Sequence, residues 1–185
     1  DIEERLDNII QNDKFELSYG IKEITKSHYD DGKELAKRSP ENGRYYTGHG
    51  EAHVEMVSDK SLEFANAMKE AKDNGGLKGE TNSERVAFSG NIDHKTLEGA
   101  ALSHDTGMSG KGYALGNKGA DGLYEAREVN VKDFNEVRSN HSLNSALNLL
   151  ENRENYKKIG YTDEQVDKMA AECMAHSKSS SGVKD

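Results

Sequence analysis

The residues best suited to chemistry in this sequence lie at the end of an apolar helical face. Five residues share that face at positions i, i+3, i+4, i+7 and i+8: Leu97, Ala100, Ala101, His104 and Asp105. An apolar face packs inward, and a buried carboxylate is costly unless it is paired or binds a metal. The pattern therefore indicates a metal site, although a structural histidine and aspartate at a frayed helix end would give the same pattern.

Three further histidines occupy comparable places on other predicted helices. His176 ends the apolar face of the last helix, His53 lies beside Val54 at the edge of an apolar stripe, and His141 comes four residues after Val137. A single histidine in such a place is more often structural, but several of them together with one carboxylate favour a metal centre. Imidazole and carboxylate ligands together suit a divalent transition metal, namely Fe, Mn, Zn or Co, as one or two ions.

The elements that must position these residues are predicted to be helices. Apolar spacing and caps predict them over 1–11, from Val54 to about Lys72, from Asp93 to His104–Asp105, from about Asn140 through Leu150, and from Thr162, which has capping-box spacing to Gln165. Two glycine-rich stretches, 74–90 and 107–122, are predicted to be surface loops, whereas 28–31 is predicted to be a solvated run. The expected fold is mostly α, a single-domain helical bundle with two long Gly-rich loops.

Composition limits the kind of partner this chain can have. The 185 residues carry a formal net charge of -9, which disfavours general nucleic-acid binding but leaves a small phosphorylated substrate possible. No apolar run approaches membrane-spanning length and no signal peptide is visible, so a cytoplasmic protein is expected. Cys173, the single cysteine, falls on a buried helix face, which argues against a nucleophilic Cys–His enzyme. The oligomeric state is left open.

The ordered series of histidines resembles the HD superfamily of metal-dependent phosphohydrolases, and in particular its HD-GYP-like branch. The matching segments are 53–57, 97–107, 138–143 and 170–176, so the resemblance runs from about Tyr45 to Ser177. It implies an HD-type metal-binding domain over 39–185, with 1–38 as an N-terminal helical segment packed on it or leading into it. It also implies hydrolysis of a phosphoester of a nucleotide or another small phosphorylated substrate.

The resemblance also implies roles for individual residues. His53, His104 and Asp105 would bind the first ion, with His104 and Asp105 catalytic, while His141 and His176 would bind a second ion that Asp105 bridges. Two groups complete the set as candidates. His49 is a possible extra ligand, and a lysine from a Gly- or Ser-rich segment could contact the phosphate, namely Lys111, Lys118 or Lys178.

The sequence departs from the family pattern in three places. Met108 stands where many relatives have a lysine, and Ser177 stands where the HD-GYP branch has a second consecutive histidine, with no Gly-Tyr-Pro after it. The aspartate that closes the site in the family comes from a later helix, so the 185-residue chain is expected to be truncated or to take its partner helix from elsewhere. Asp185 could fold back as a ligand, but a terminal residue after a Ser-rich tail pays a large ordering cost. These departures favour the main alternative, a non-catalytic regulatory or binding module with a degenerate HD fold.

A second alternative is a zincin-like metallopeptidase, because His49 and His53 have the histidine spacing of the zincin helix. However, Glu51 neither follows the first histidine directly nor precedes the second, as the general base does in the two known forms of that motif. Gly48 and Gly50 also weaken the helix that the motif requires.

Overall fold

The computed structural model describes residues 1–38, 49–75, 92–118, 124–130 and 134–176. Within these ranges the chain is mostly helical. The α-helices are α1 (Ile2–Ile10), α2 (Leu17–Arg38), α3 (Glu51–Asp73), α4 (His94–Ser103), α5 (Phe134–Glu151), α6 (Arg153–Lys158) and α7 (Asp163–Ala175). A short 3₁₀ helix (Thr106–Ser109) follows α4, and two strands follow it: β1 (Lys111–Lys118) and β2 (Tyr124–Asn130). No helix in the described ranges is long and apolar enough to cross a membrane.

A β-hairpin stands where the sequence predicted a long loop. Strands β1 and β2 pair antiparallel, with Lys111 opposite Asn130 and an irregularity in register between Leu115 and Lys118. The loop prediction for 107–122 was therefore wrong over its described part, because the first residues form the 3₁₀ helix and 111–118 form a strand. The loop was predicted from the glycine content, although Tyr113 and Leu115 alternate with small residues as in a strand. The hydrogen bonds of this strand come from pairing with a later segment, which its own sequence does not indicate.

Helices α4 and α7 lie side by side and run in the same direction. At their N-terminal ends, Asp93 caps α4 and accepts a hydrogen bond of 2.9 Å from the side chain of Gln165 in α7. Midway, the Sγ atom of the buried Cys173 lies 3.8 Å from the carbonyl oxygen of Ala100. The predicted capping box at Thr162 and Gln165 is present and begins α7. The two helices therefore also end at the same level.

Gly99 permits the close approach of α4 and α7. A Cβ atom at this position would lie 2.2 Å from the Sδ atom of Met169 and 2.6 Å from the hydroxyl oxygen of Tyr161. Both distances are well below van der Waals contact. That hydroxyl donates a hydrogen bond of 2.8 Å to the carbonyl of Lys95, so it is held in place. The absence of a side chain at Gly99 thus sets the spacing of two helices that carry site residues.

The N-terminal helices share one apolar core with the later helices. Leu6 of α1 and Ile21 and Ile24 of α2 belong to the same buried cluster as the cores of α4, α5 and α7. Tyr29, which the sequence placed in a solvated run, is buried, and its hydroxyl donates a hydrogen bond of 2.7 Å to the carbonyl of Leu102. The spacing of Ile21, Ile24 and Tyr29 at i, i+3 and i+8 puts them on one face of α2, which explains the burial.

The 3₁₀ helix packs tightly against α5. The amide of Gly107 donates a hydrogen bond of 2.8 Å to the side chain of Ser145, and a Cβ atom at Gly107 would lie 2.0 Å from the carbonyl oxygen of His141. Met108, the next residue, is buried together with Val137 of α5. Only glycine therefore fits at position 107, and Met108 is a core residue rather than a side chain that faces a substrate.

Candidate metal centre

Five histidines surround the carboxylate of Asp105, and they come from different parts of the chain. His49 precedes α3, and His53 lies in its first turn. His104 and Asp105 follow α4 directly, His141 lies in the second turn of α5, and His176 follows α7. The parallel arrangement of α4 and α7 brings His104 and His176 together, with ring centroids 4.6 Å apart. The ends of apolar helical faces thus converge on one carboxylate.

Each carboxylate oxygen of Asp105 faces two imidazole nitrogens. The Oδ2 atom lies 3.2 Å from Nε2 of His104 and 3.7 Å from Nε2 of His53. The Oδ1 atom lies 3.6 Å from Nε2 of His141 and 3.8 Å from Nε2 of His176. The carboxylate therefore separates the centre into two sides, each lined by imidazole nitrogens.

Two sets of three residues have ligand atoms close enough together to hold an ion. One set is His53, His104 and Asp105, and the other is His49, His141 and Asp105; within each set the ligand atoms lie within 4.8 Å of one another. Asp105 belongs to both sets. The described residues therefore offer positions for two ions with a shared carboxylate between them.

The backbone fixes which nitrogen two of the imidazoles present to Asp105. Nδ1 of His104 lies 2.7 Å from the carbonyl oxygen of Ala101, and Nδ1 of His141 contacts the carbonyl oxygen of Arg138 in the same way. A carbonyl oxygen only accepts hydrogen bonds, so Nδ1 must carry the proton in both rings. In the neutral rings Nε2 therefore has a free lone pair, which is the arrangement that metal-binding histidines commonly have.

Buried polar atoms at the centre are without hydrogen-bond partners in the described part of the chain. Asp105 is fully buried, yet neither of its oxygens makes a hydrogen bond, and neither does Nε2 of His141. Lone pairs of imidazole and carboxylate facing one another across less than 4 Å repel unless a cation lies between them. The residues present thus fit divalent metal ions, and their donor set of imidazoles and one carboxylate suits a transition metal.

The pKa values of the central pair move towards the charged forms. Burial opposes the charged form of His104, but the close contact with Asp105, 3.2 Å away, and the negative charge of that carboxylate raise the pKa of this imidazole above its usual value. Burial likewise opposes ionisation of Asp105, but the contact and charge of His104, followed by the charges of His49 and His141, lower the pKa of the carboxyl group. The contact between His104 and Asp105 therefore favours the charged form of both groups.

The outer imidazoles behave differently. Burial is the largest effect on His53, His141 and His176, and it lowers the pKa of each ring below its ordinary value. These rings are therefore held in the neutral form, in which an imidazole binds a metal.

The structure brings together all six residues that the sequence proposed as ligands: His49, His53, His104, Asp105, His141 and His176. His176 belongs to neither set of three, although its ring lies next to those of His104 and His141. His49 takes its place in the second set. His94, the first residue of α4, contacts Asn66 instead.

The remaining predicted site residues are less well placed or lie outside the described ranges. Lys111 and Lys118 are the first and last residues of β1, so they belong to a paired strand rather than to a loop. Lys178 and Asp185 lie outside the described residues, as does Ser177. His141 was predicted to begin its helix, but α5 begins at Phe134, about two turns earlier.

The zincin alternative does not have the geometry that its motif requires. Helix α3 begins at Glu51 with Gly50 as its N-cap, so His49 lies before the helix and only His53 lies on it. The carboxylate of Glu51 pairs with Lys33 at 3.0 Å. The motif needs both histidines on one helix with a free general base between them.

Supporting residues of the centre were missed in the sequence. Tyr29 holds the last turn of α4 through the carbonyl of Leu102, and Gly107 and Ser145 fix the chain that follows Asp105 against α5. The apolar spacing in α2 could have indicated that Tyr29 lies on the buried face of this helix. For Gly107 and Ser145 no local pattern exists, because their contact joins residues 38 positions apart.

Comparison with known proteins gives no match: no family model matches the sequence, and no curated protein or solved structure is significantly similar to it. The function of the chain must therefore be argued from the geometry of the centre.

Proposed function

We propose that this protein is a metal-dependent phosphohydrolase of the HD type that acts on a small phosphorylated substrate in the cytoplasm. The observation that carries the proposal is the buried carboxylate of Asp105, whose two oxygens lack hydrogen bonds and each face two imidazole nitrogens. The chain order of the ligands, with His53 first, the His104–Asp105 pair next, and His141 and His176 last, supports the HD assignment.

The residues of the centre have distinct tasks in this proposal. His53 and His104 would hold one ion, and His49 and His141 the other, with Asp105 shared between the two sets. A divalent ion there would supply a nucleophile at neutral pH, because it lowers the pKa of a water that it binds to about 7. Asp105, which is fully buried, would orient the nucleophile with the help of His104.

Substrate would reach the centre from the side of His53 and His176. The side chain of His53 is 28% exposed and that of His176 is 38% exposed, whereas those of His104, Asp105 and His141 are buried. Lysines that would contact the phosphate, Lys111 and Lys178, remain part of the proposal. Met108 takes no part in binding, because it is a core residue.

Metal analysis followed by a phosphoester panel tests the proposal. Protein purified without chelator and reconstituted with Mn, Fe, Co or Zn should bind about two equivalents and hydrolyse at least one phosphoester. His104→Gln and Asp105→Asn should each abolish hydrolysis and reduce metal content, with helical circular dichroism unchanged. His94→Gln is the matched control, because His94 begins the helix that His104 follows but contacts Asn66 instead. Less than a tenth of an equivalent of metal after reconstitution would refute the proposal.

One observation favours a second candidate function, a non-catalytic binding module with the same fold. Met108 fills the core at the position where the HD resemblance expects a lysine that contacts phosphate. Such a module would show no hydrolysis of any phosphoester in the panel, whatever metal it binds.

A further inference from the structure

The centre offers one carboxylate, Asp105, to two possible ion positions, and this low negative charge bears on the choice of substrate. We infer that the centre selects phosphomonoester dianions over phosphodiester monoanions. The inference rests on the proposed function and names its substrate class.

The charge of the centre follows from its donor atoms. In the described ranges, the two sets that could hold ions contain four histidines, two in each set, and only one carboxylate, Asp105, which both sets share. His176 adds a further imidazole beside them. An imidazole that binds a metal must be neutral. Two divalent ions would bring four positive charges and Asp105 one negative charge, which leaves three positive charges for other groups to balance.

The two carboxylates that flank His53 in the sequence are already paired. Glu51, two residues before His53, pairs with Lys33 at 3.0 Å, and Glu55, two residues after it, pairs with Lys22 at 2.8 Å. All four of these side chains are about half exposed, so solvent screens them further. They therefore add little negative charge to the buried centre, and the substrate is left to supply it.

The two substrate classes differ in the charge that they can supply. A phosphomonoester carries roughly -1.5 to -2 at pH 7, because its second pKa is about 6. A phosphodiester lacks that second ionisable group and carries a single negative charge. Because attraction to a buried group of charges grows with each added charge, the dianion is bound more strongly both before and during reaction.

The reaction itself is a simple hydrolysis. The oxygen of water forms a bond to phosphorus, and the bond between phosphorus and the ester oxygen breaks. One proton of the water goes to the leaving oxygen, so the products are an alcohol and inorganic phosphate. No oxidant or reductant is needed.

The test compares two substrates with the same leaving group, p-nitrophenyl phosphate and bis(p-nitrophenyl) phosphate. The variant His49→Asp exchanges a neutral ligand for a charged one and should lower the monoester-to-diester ratio of kcat/KM by about tenfold or more relative to the unchanged protein. Dividing the variant's monoester-to-diester ratio by that of the unchanged protein removes the difference in intrinsic reactivity between the two esters. His49→Gln removes the imidazole without adding charge, and metal content is measured for each variant.

Ala67→Glu is the matched charge control. Ala67 is an exposed residue of α3, 14 residues beyond His53, or ~21 Å along the helix axis. The change to glutamate adds one negative charge, as His49→Asp does. This distance exceeds the screening length of about 8 Å at physiological ionic strength. The ratio for Ala67→Glu should therefore equal that of the unchanged protein.

Anion binding provides a readout that does not depend on turnover. Calorimetry at pH 8 with metal-loaded protein should show that inorganic phosphate binds at least about tenfold more tightly than dimethyl phosphate, and that His49→Asp narrows this difference. Equal affinities, or a kcat/KM ratio that His49→Asp leaves unchanged with metal retained, would overturn the inference. Preferential phosphate binding without hydrolysis of any ester would support the inference and refute the proposed phosphohydrolase.

Discussion

His104 and His141 are oriented by the same local device, although they lie on different helices. In each case Nδ1 bonds to the carbonyl three residues earlier, Ala101 or Arg138, which leaves Nε2 directed at Asp105. A histidine near a helix end can make this bond without help from another element. Two rings on opposite sides of the carboxylate are therefore positioned before any ion binds, which reduces the ordering cost of binding.

Removal of one of these rings should remove one ion. We expect His141→Gln to lower the metal content by about one equivalent and to retain the ion at His53, His104 and Asp105, because His141 belongs only to the second set. Elemental analysis after reconstitution and desalting measures this change, with His94→Gln as the control. Unchanged stoichiometry in His141→Gln would mean that this histidine is structural and that the centre holds a single ion.

At the residue scale, the sequence indicated which side chains would meet but not how. His104, Asp105 and His176 were recognisable because they end apolar faces, and helical periodicity defines such faces locally. The sharing of Asp105 between two sets, and the place of His49 rather than His176 in the second, depends on where four helices converge. That convergence is set by contacts between distant residues, which one sequence does not reveal.

Helices α4 and α7 act as a pair at the next scale. Asp93 joins their N-terminal ends, Gly99 sets their spacing, and His104 and His176 follow their C-terminal ends. Geometry at the centre therefore depends on contacts located up to a helix length away. The two predictions that follow test the spacing and the end contact separately.

Gly99→Ala should destabilise the protein. The added methyl group would overlap Met169 and Tyr161, and overpacking of this kind typically costs about 1 to 3 kcal/mol. Helix propensity acts in the opposite direction, because alanine is favoured over glycine by about 1 kcal/mol in a helix interior. Urea denaturation of both proteins measures the difference in the free energy of unfolding. A more stable Gly99→Ala variant would show that propensity prevails and that α4 and α7 are not in tight contact.

Asp93→Ala should lower stability by about 1 kcal/mol at pH 7, since the carboxylate caps α4 and also binds Gln165. Burial opposes ionisation of Asp93, but hydrogen bonds from Thr96 and Gln165 lower its pKa in the folded protein. The stabilisation is therefore present above the unfolded pKa of about 3.9 and is lost as the pH falls through the lower folded pKa. Thermal melts of both proteins from pH 7 to pH 2.5 should converge at the acid end; a constant difference would contradict this assignment.

At the scale of elements, the sequence was informative wherever a helix had a periodic face and a cap. Helices α1, α3, α4 and α7 were predicted near their observed bounds, and the Thr162 capping box is present. The hairpin of β1 and β2 was missed because its stability comes from pairing between strands rather than from either segment alone. The short helix α6 was missed because it has a single turn and a half and no periodic face of its own.

For the whole molecule, the centre joins helices that also share one apolar core. Residues from α1 and α2 lie in the same cluster as those of α4, α5 and α7, so the N-terminal segment packs on the part that carries the ligands. The mostly helical fold was predictable from periodicity. The extent to which the N-terminal helices are buried could not be predicted, because most of the surface of α2 is polar and its apolar face is narrow.

The burial of Cys173 makes it possible to time the opening of the molecule. This thiol of α7 is fully buried against the carbonyl of Ala100 in α4, and burial raises its pKa far above the usual value. A thiol reagent can therefore react only in the moments when α7 has separated from α4. The rate of labelling therefore measures how often α7 separates from α4. Cys173 reports on this close to the centre, because it lies three residues before His176 and beside the helix that His104 follows.

Bound metal should make such separations rarer. The ring of His176, which follows α7, packs against those of His104 and His141, so separation of α7 should disturb these two ligands. A metal concentration about 100 times Kd should therefore slow labelling by up to about a hundredfold, and a chelator should restore the original rate. His104→Gln, which loses a ligand, should label at the metal-free rate under both conditions. Equal rates with and without metal would mean that α7 opens independently of the centre. A large difference would mean that the labelling rate of Cys173 reports the release of the ions.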